Sequence, residues 1–300
     1  MYGTDSEIVI MRLRVSFLLV VLFFLPFLSC QKIGEDVNPW DIPEEELPST
    51  KSDIRIAVLG DSISTFAGFL ASDTQGYQGA AYKSYYPTGD VRKINDTWWY
   101  KLCQLLGADI NNLCNCSWSG SRVTGNSKSD TDASAGCSNR RIADLSVKGF
   151  TPDLVICYIS CNDWANSVPI GDWTSSDPIP EDGNVSSLRE AYALMIHKIR
   201  QQYPSSMVAC LTNLDDYKRD KTPGWPSNNT EGVTVEEWNQ NIKVISSAFD
   251  CITIDLQTCG INYENVSKYT VDGGLHPNSA GMTLIAKKIA SELSPLLEKQ

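Results

Sequence analysis

The segment Ile54-Arg55-Ile56-Ala57-Val58-Leu59-Gly60-Asp61-Ser62 decides the fold of this chain. Its apolar run predicts a buried strand that stops at a glycine and leaves Ser62 at the strand's carboxyl end. A serine presented in this way can act as a nucleophile. Gly, Asp and Ser also form ordinary turns, so the tripeptide needs a partner elsewhere in the chain before it defines a site.

That partner is a second segment near the end of the chain, Asp272-Gly273-Gly274-Leu275-His276-Pro277-Asn278, which holds one of only two histidines. A serine needs a base to become a nucleophile at neutral pH, and histidine is the usual one. The other histidine, His197, lies in a predicted amphipathic helix, one step off its apolar stripe. We therefore predict that His276 is the base for Ser62.

Between these segments, strand-length apolar runs alternate with amphipathic helical patterns. The predicted strands are 54–59, 109–116, 153–160, 206–212 and 251–256, and the predicted helices are 97–106, 138–148, 187–203, 234–249 and 278–293. This alternation predicts a flavodoxin-like three-layer α/β/α sandwich with a central, mainly parallel five-stranded sheet. In such sheets the site lies beyond the carboxyl ends of the strands.

Four polar or glycine positions fall at that edge of the predicted sheet. Ser62, Gly120 and Asn162 follow the first three strands, and His276 lies in the loop before the last helix. The residues resemble, in order, the Ser, Gly, Asn and His blocks of the SGNH (GDSL-type) hydrolase family. The resemblance covers about residues 54 to 295.

The resemblance implies a carboxylic ester hydrolase that needs no metal and no cofactor. Ser62 is then the nucleophile and His276 the base. The oxyanion hole consists of the backbone N–H groups of Ser62 and Gly120 and the side chain of Asn162. The near absence of histidine and of Cys-x-x-Cys pairs independently argues against a zinc site.

The chain departs from the family pattern at two positions. Ser160 stands where the family has glycine, which indicates either a tolerated backbone angle or a narrower pocket. Gly273 stands where the family has its acid, and Asp272 lies one position earlier. Either a bulge lets Asp272 reach the imidazole, or the site is a Ser-His dyad; we favour Asp272, because adjacent glycines permit the φ angles that a bulge requires.

Aromatic residues are frequent in the loops predicted to surround the site. Trp164 and Trp173, which follow the third block, are the predicted substrate-binding residues, because flat aromatic side chains suit sugar rings. Trp98 and Trp99 lie on a predicted helix and are expected in the core.

The N-terminal part of the chain has the composition of an export signal. Within residues 1–30, a short basic segment at residues 11–14 precedes an apolar run at residues 15–28 that is too short to span a bilayer, and the stretch ends in a lipobox-like Ser29-Cys30. We predict a bacterial lipoprotein anchored in the membrane through Cys30, with an ordinary secretory signal as the alternative. Residues 31–52 are acidic and contain prolines, as in a tether, and residues 53–300 form the hydrolase domain.

The charge of the chain limits its partners. A net charge of −11 leaves no basic stripe for nucleic acid. The sequence therefore predicts an exported esterase that removes acyl groups, acetyl above all, from a carbohydrate or a small molecule. The alternatives are a lipase or thioesterase for longer acyl chains, and a glycan-binding surface lipoprotein without catalytic activity on the same scaffold.

Overall fold

A computed structural model of the chain describes residues 40–49, 52–71, 84–130, 134–214 and 228–298. Its centre is a five-stranded sheet in the order β2-β1-β4-β6-β7, in which every strand pair is parallel. These strands are β1 (Ile56–Gly60), β2 (Leu113–Asn115), β4 (Leu154–Tyr158), β6 (Met207–Leu211) and β7 (Ile252–Ile254). A short antiparallel pair is formed by β3 (Gly125–Asn126) and β5 (Asn184–Val185). The predicted sheet is confirmed.

Helices cover both faces of this sheet. They are α1 (Trp98–Leu105), α2 (Asn139–Asp144), α3 (Cys161–Ala165), α4 (Leu188–Gln202), α5 (Val235–Ala248), α6 (Val266–Tyr269) and α7 (Ser279–Leu297). On one side α1 packs against α7, while α4 packs against both α2 and α5 on the other. Every residue of β1 and β4 is buried between the two layers, which is why both strands are continuous apolar runs.

Polar caps fix where the longer helices begin. The side chains of Thr97, Thr234 and Asn278 each accept a hydrogen bond from a backbone N–H in the first turn of α1, α5 and α7. The helix α3 is absent from the prediction. It matters for function because it carries Asn162.

Part of the predicted tether lies against the domain. The Trp40 carbonyl accepts hydrogen bonds from Lys101 Nζ and Thr283 Oγ1, both at 2.8 Å, and Glu46 forms an ion pair with Lys287 at 2.7 Å. The predicted signal peptide and Cys30 lie outside the described residues. Within those residues, no helix has the length and apolar character needed to cross a membrane.

Candidate active site

Ser62 lies where the chain leaves the middle of the sheet. The strand β1 lies between β2 and β4, so the connections that follow β1 and β4 run to opposite sides and leave a crevice. Ser62 begins a single 3-10 turn, Ser62–Ser64, directly after this strand. The buried Asp61 carboxylate accepts the Ile63 N–H at 3.0 Å and fixes that turn.

Only glycine fits at the end of β1. A Cβ atom on Gly60 would lie 2.6 Å from Ser117 Oγ and 2.8 Å from Ser64. The Gly60 carbonyl also accepts a 2.7 Å hydrogen bond from the buried Arg141 guanidinium. The glycine of the sequence motif is therefore explained by the side chains of Ser117 and Ser64, which pack against its Cα.

A continuous chain of hydrogen bonds joins the serine to an imidazole and a carboxylate. His276 Nε2 lies 2.9 Å from Ser62 Oγ, and His276 Nδ1 lies 2.6 Å from Asp272 Oδ2. Ser62 is 5% exposed and His276 is 8% exposed, so both are largely screened from bulk water. The two sequence motifs, at residues 60–62 and 272–278, are thus brought together in the fold, as the sequence predicts.

The extra residue before His276 is absorbed by a turn. Gly273 has a φ of +84°, which lets Asp272 Oδ1 accept the backbone N–H groups of Leu275 at 2.9 Å and His276 at 3.0 Å. Burial alone would raise the pKa of Asp272, but the His276 hydrogen bond and these backbone donors outweigh it and hold that pKa far below its usual range. Asp272 is therefore an anion that is hydrogen-bonded to His276 Nδ1.

The other predicted donors belong to two loops that contact each other. Gly120, in the loop after β2, is exposed and has a φ of +77°. Asn162 is the second residue of α3, which follows β4, and its Nδ2 donates to the Ser121 carbonyl at 2.9 Å. The Asn162 amide therefore lies against the loop that carries Gly120.

Asp163 holds that loop in place. Its buried carboxylate accepts hydrogen bonds from Val123 N at 2.7 Å, Thr124 N at 3.0 Å and Thr124 Oγ1 at 2.7 Å. Burial raises the pKa of Asp163 to about 6, although these hydrogen bonds oppose the shift. These contacts of the Asp163 carboxylate are structural, because all three are made to Val123 and Thr124, which follow Gly120 in the same loop.

Ser160 occupies a position that favours glycine. Its φ is +129°, a region that side-chain-bearing residues rarely adopt. The Ser160 hydroxyl faces Trp238 Nε1 at 3.3 Å and Asn213 Oδ1 at 3.4 Å, within the core. The sequence left two explanations for a serine here, an unusual backbone angle or a narrower pocket. The structure shows the unusual backbone angle, and the Ser160 side chain points into the core and not toward Ser62.

The two tryptophans predicted to contact substrate are not on an open surface of the site. Trp164 is 2% exposed, and its indole N–H donates to the Val233 carbonyl at 3.0 Å. Trp173 is also buried and stacks on Phe249, which precedes β7 and so lies at the amino end of the sheet, opposite Ser62. Trp173 also lines a surface cavity with Arg189 and Val244. The contact of either ring with substrate stays a prediction.

A different aromatic residue touches the site. The Tyr85 ring stacks on the His276 imidazole, with ring centroids 3.4 Å apart and planes within 8°. The sequence signal was present, because Tyr85 belongs to an aromatic-rich stretch between the first two motifs. Nothing in its local spacing, however, indicated which aromatic residue would reach His276.

Among the residues described, no group of three His, Cys, Asp or Glu side chains could hold a metal ion.

The chain is an α/β protein in which a serine and a histidine are hydrogen-bonded at the carboxyl edge of a parallel sheet, where the connections after β1 and β4 run to opposite sides. Residues 54–224 match the model of the GDSL-like lipase/acylhydrolase family. The chain belongs to this family, and it is a hydrolase of ester bonds.

Solved structures share the fold. A protein described as a GDSL-like lipase from Bacteroides uniformis is 24% identical, with a TM-score of 0.56 over 81% of this chain and 97% of that one. A similarly described protein from Bacteroides ovatus is 22% identical, with a TM-score of 0.55 over 83% and 100%. A Lactobacillus plantarum protein is 16% identical, with a TM-score of 0.55 over 82% and 99%. No curated protein sequence matches the chain.

Proposed function

We propose that this chain is a serine esterase in which Ser62, His276 and Asp272 act as a triad. Ser62 Oγ attacks the ester carbonyl while His276 Nε2 accepts its proton, and the imidazolium then protonates the leaving alcohol. Water repeats the sequence on the acyl-enzyme. The observation that carries this proposal is the unbroken hydrogen-bonded chain from Ser62 Oγ through His276 to Asp272.

The negative charge of the tetrahedral intermediate needs donors that are fixed in advance. We assign this role to the backbone N–H groups of Ser62 and Gly120 and to the Asn162 amide. The support for this assignment is the hydrogen bond from Asn162 to the Gly120 loop. Asp163 also accepts a hydrogen bond from that loop and fixes its position. Losing one such donor costs roughly 3–4 kcal/mol of barrier in comparable sites.

The substrate is proposed to be a short acyl ester, acetyl above all, on a polar alcohol such as a sugar hydroxyl. Over the described ranges, the large apolar side chains that are exposed are Trp40, Phe69, Val244 and Leu296. Only Phe69 lies in the loop after Ser62, whereas a long acyl chain needs an extended apolar surface to leave water. The loop beyond β2 is polar, with Ser119 and the exposed Arg122, which suits a hydrated alcohol.

The proposed cellular location rests on the sequence alone. We propose that residues 1–30 direct export and that Cys30 carries a lipid anchor, with the domain on the periplasmic or cell-surface face of a bacterial membrane. The support is the basic start, the short apolar run and the small residue before Cys30.

The test is ester hydrolysis by a soluble form of the chain beginning at Gln31. The substrates are p-nitrophenyl acetate, butyrate and octanoate, together with acetylated xylan from which acetate release is measured. The proposal predicts turnover that falls with acyl length, acetate release from the polymer, and loss of both in Ser62→Ala. A preference for octanoate would support the lipase alternative.

A matched binding measurement addresses the non-catalytic alternative. If the native protein turns over no ester, and its affinity for the polysaccharide survives Ser62→Ala, the chain is a glycan-binding protein and the esterase proposal fails. Asn111→Ala provides the control for a polar substitution at the surface, since the exposed Asn111 contacts Asp109 just before β2, at the amino end of the sheet and opposite Ser62.

A further inference from the structure

The face of the catalytic imidazole is covered by an aromatic ring. The centroids of Tyr85 and His276 are 3.4 Å apart and their planes differ by 8°. Because this separation is about the thickness of an aromatic ring, the two rings overlap face to face with little lateral offset. Offset or edge-to-face contacts are the usual arrangement of aromatic pairs.

Hydrogen bonds from both sides of the site hold Tyr85 in this position. The Tyr85 N–H donates to Thr65 Oγ1 at 2.9 Å, and Thr65 Oγ1 donates to the Ser62 carbonyl at 2.9 Å. The hydroxyl of the next residue, Tyr86, donates to the Pro277 carbonyl at 2.6 Å. The segment is thus tied to the turn of the nucleophile and to the residue that follows the base.

The energy of this contact depends on the charge of the imidazole. Two neutral rings face to face bring their electron-rich faces together, which is electrostatically unfavourable. A cation over the same face is attracted by the ring. His276 becomes a cation only when it has taken the Ser62 proton, so the contact strengthens as the reaction proceeds. Interactions that are stronger in the transition state than in the ground state are the ones that accelerate a reaction.

We propose that Tyr85 is a positioning residue whose ring selectively stabilises the protonated His276 during acyl transfer, an inference that rests on the proposed serine mechanism. This effect comes from the ring. The Tyr85 hydroxyl instead interacts with the Asp272 carboxylate, and burial together with the charge and hydrogen bond of that carboxylate raises the pKa of the hydroxyl to about 12. Tyr85 is therefore neutral while the enzyme works and adds no charge of its own.

Other groups also act on the charge of His276. The Asp272 carboxylate bonds it from its own loop, the buried Asp61 acts on it from the end of β1, and the Tyr86 ring lies edge-on at 6.5 Å. Ser62 contacts Nε2. Tyr85→Leu and Tyr85→Phe both lose the interaction of the hydroxyl with Asp272, so the difference between these two variants in the titration of His276 reports the stacked ring.

The experiment compares Tyr85→Leu, which removes the ring, with Tyr85→Phe, which keeps it. Tyr100→Leu, on α1, controls for loss of a partly buried tyrosine. The measurements are kcat and KM for p-nitrophenyl acetate and an NMR titration of His276. Because the chain has only two histidines, His197→Gln assigns the signals.

The proposal predicts that Tyr85→Leu lowers kcat by roughly 2- to 30-fold with little change in KM. The midpoint of the His276 titration should fall by roughly 0.3 to 1.5 pH units. This shift corresponds to the same loss of interaction free energy as the fall in kcat. Tyr85→Phe should stay within about threefold of the native enzyme, since a cation interacts with the face of either ring.

Three results would overturn the inference: an unchanged kcat in Tyr85→Leu, a titration midpoint that rises because the ring only shields the imidazole from water, or a Tyr85→Phe variant as impaired as Tyr85→Leu. If Tyr85→Leu does not fold, Tyr85→Met makes the same comparison. A native enzyme that turns over no ester refutes the serine mechanism itself. An active native enzyme that tolerates Tyr85→Leu refutes only the role of the ring.

Discussion

Replacing Asp272 by asparagine tests whether the displaced acid completes the site. The carboxylate makes two kinds of contact: Oδ1 accepts backbone N–H groups of the turn, and Oδ2 bonds His276 Nδ1 at 2.6 Å. Asparagine keeps an oxygen for the turn but places an NH₂ group opposite Nδ1. The imidazole must then accept at Nδ1 and carry its proton on Nε2, where it can no longer take a proton from Ser62.

The expected loss follows from this change of tautomer. In a comparable triad, the same substitution lowers kcat by roughly 10⁴-fold with the geometry intact, which corresponds to about 5 kcal/mol of barrier. The assay is p-nitrophenyl acetate hydrolysis by the native protein and Asp272→Asn, with thermal unfolding of both. The melting temperature of Asp272→Asn should lie below that of the native protein, because the ionised carboxylate stabilises the turn, but above that of a variant with no acceptor at this position.

Asp272→Ala provides the matched comparison. It removes the acceptor for the backbone N–H groups as well, so it should lose activity and also unfold at a lower temperature, by roughly 1–3 kcal/mol of stability. If Asp272→Asn folds normally and loses only a few-fold in kcat, the site works as a Ser-His dyad and the assigned role of Asp272 is refuted.

Three further predictions concern stability and can be checked by urea unfolding. Ser160→Gly should be more stable than Ser160→Ala by about 1–3 kcal/mol, the reverse of the usual order, because both lose the hydroxyl but only glycine relieves the φ of +129°; equal stabilities would contradict the strain. Because burial raises the pKa of Asp163 to about 6, the protonated folded form is favoured, and its contribution to stability is present below about pH 4 and lost as the pH rises through 6. The stability of Asp163→Asn relative to the native protein should therefore rise by roughly 2–3 kcal/mol between pH 4 and pH 7, whereas a difference independent of pH would show that Asp163 has an ordinary pKa. The buried Lys101 ammonium donates to the Trp40 carbonyl, so a form beginning at Pro43 should be less stable than one beginning at Gln31 by roughly 1.5–3 kcal/mol. When Lys101 is replaced by methionine in both forms, most of that difference should disappear. If the effects of the truncation and of Lys101→Met simply add, the role of Lys101 is refuted.

The sheet and most helices were predictable because their signals are local and agree with one another. The strands β1 and β4 are fully buried, so their sequences are continuous apolar runs, and polar caps such as Thr97 and Thr234 indicate where helices begin. The helix α3 was missed because its five residues are too few to show a helical period. It is held by tertiary contacts instead.

The site residues that directly follow predicted strands could be placed from the sequence, because the carboxyl ends of parallel strands meet at one edge of the sheet. The position of Asp272 could be inferred because two adjacent glycines permit the turn that Gly273 makes. The contact of Tyr85 could not, since it depends on which loop folds over His276. Trp164 and Trp173 were assigned from composition, which carries no information about whether a ring points inward.

The central claim is that Ser62 is the nucleophile, and covalent labelling tests it most directly. A fluorophosphonate probe reacts with a serine whose hydroxyl is activated by a base, and peptide mass spectrometry locates the modified residue. We expect a single adduct on Ser62, which does not form in Ser62→Ala and forms much more slowly in Asp272→Asn. A native protein that remains unlabelled, or an adduct on any other residue that persists in Ser62→Ala, would contradict this claim.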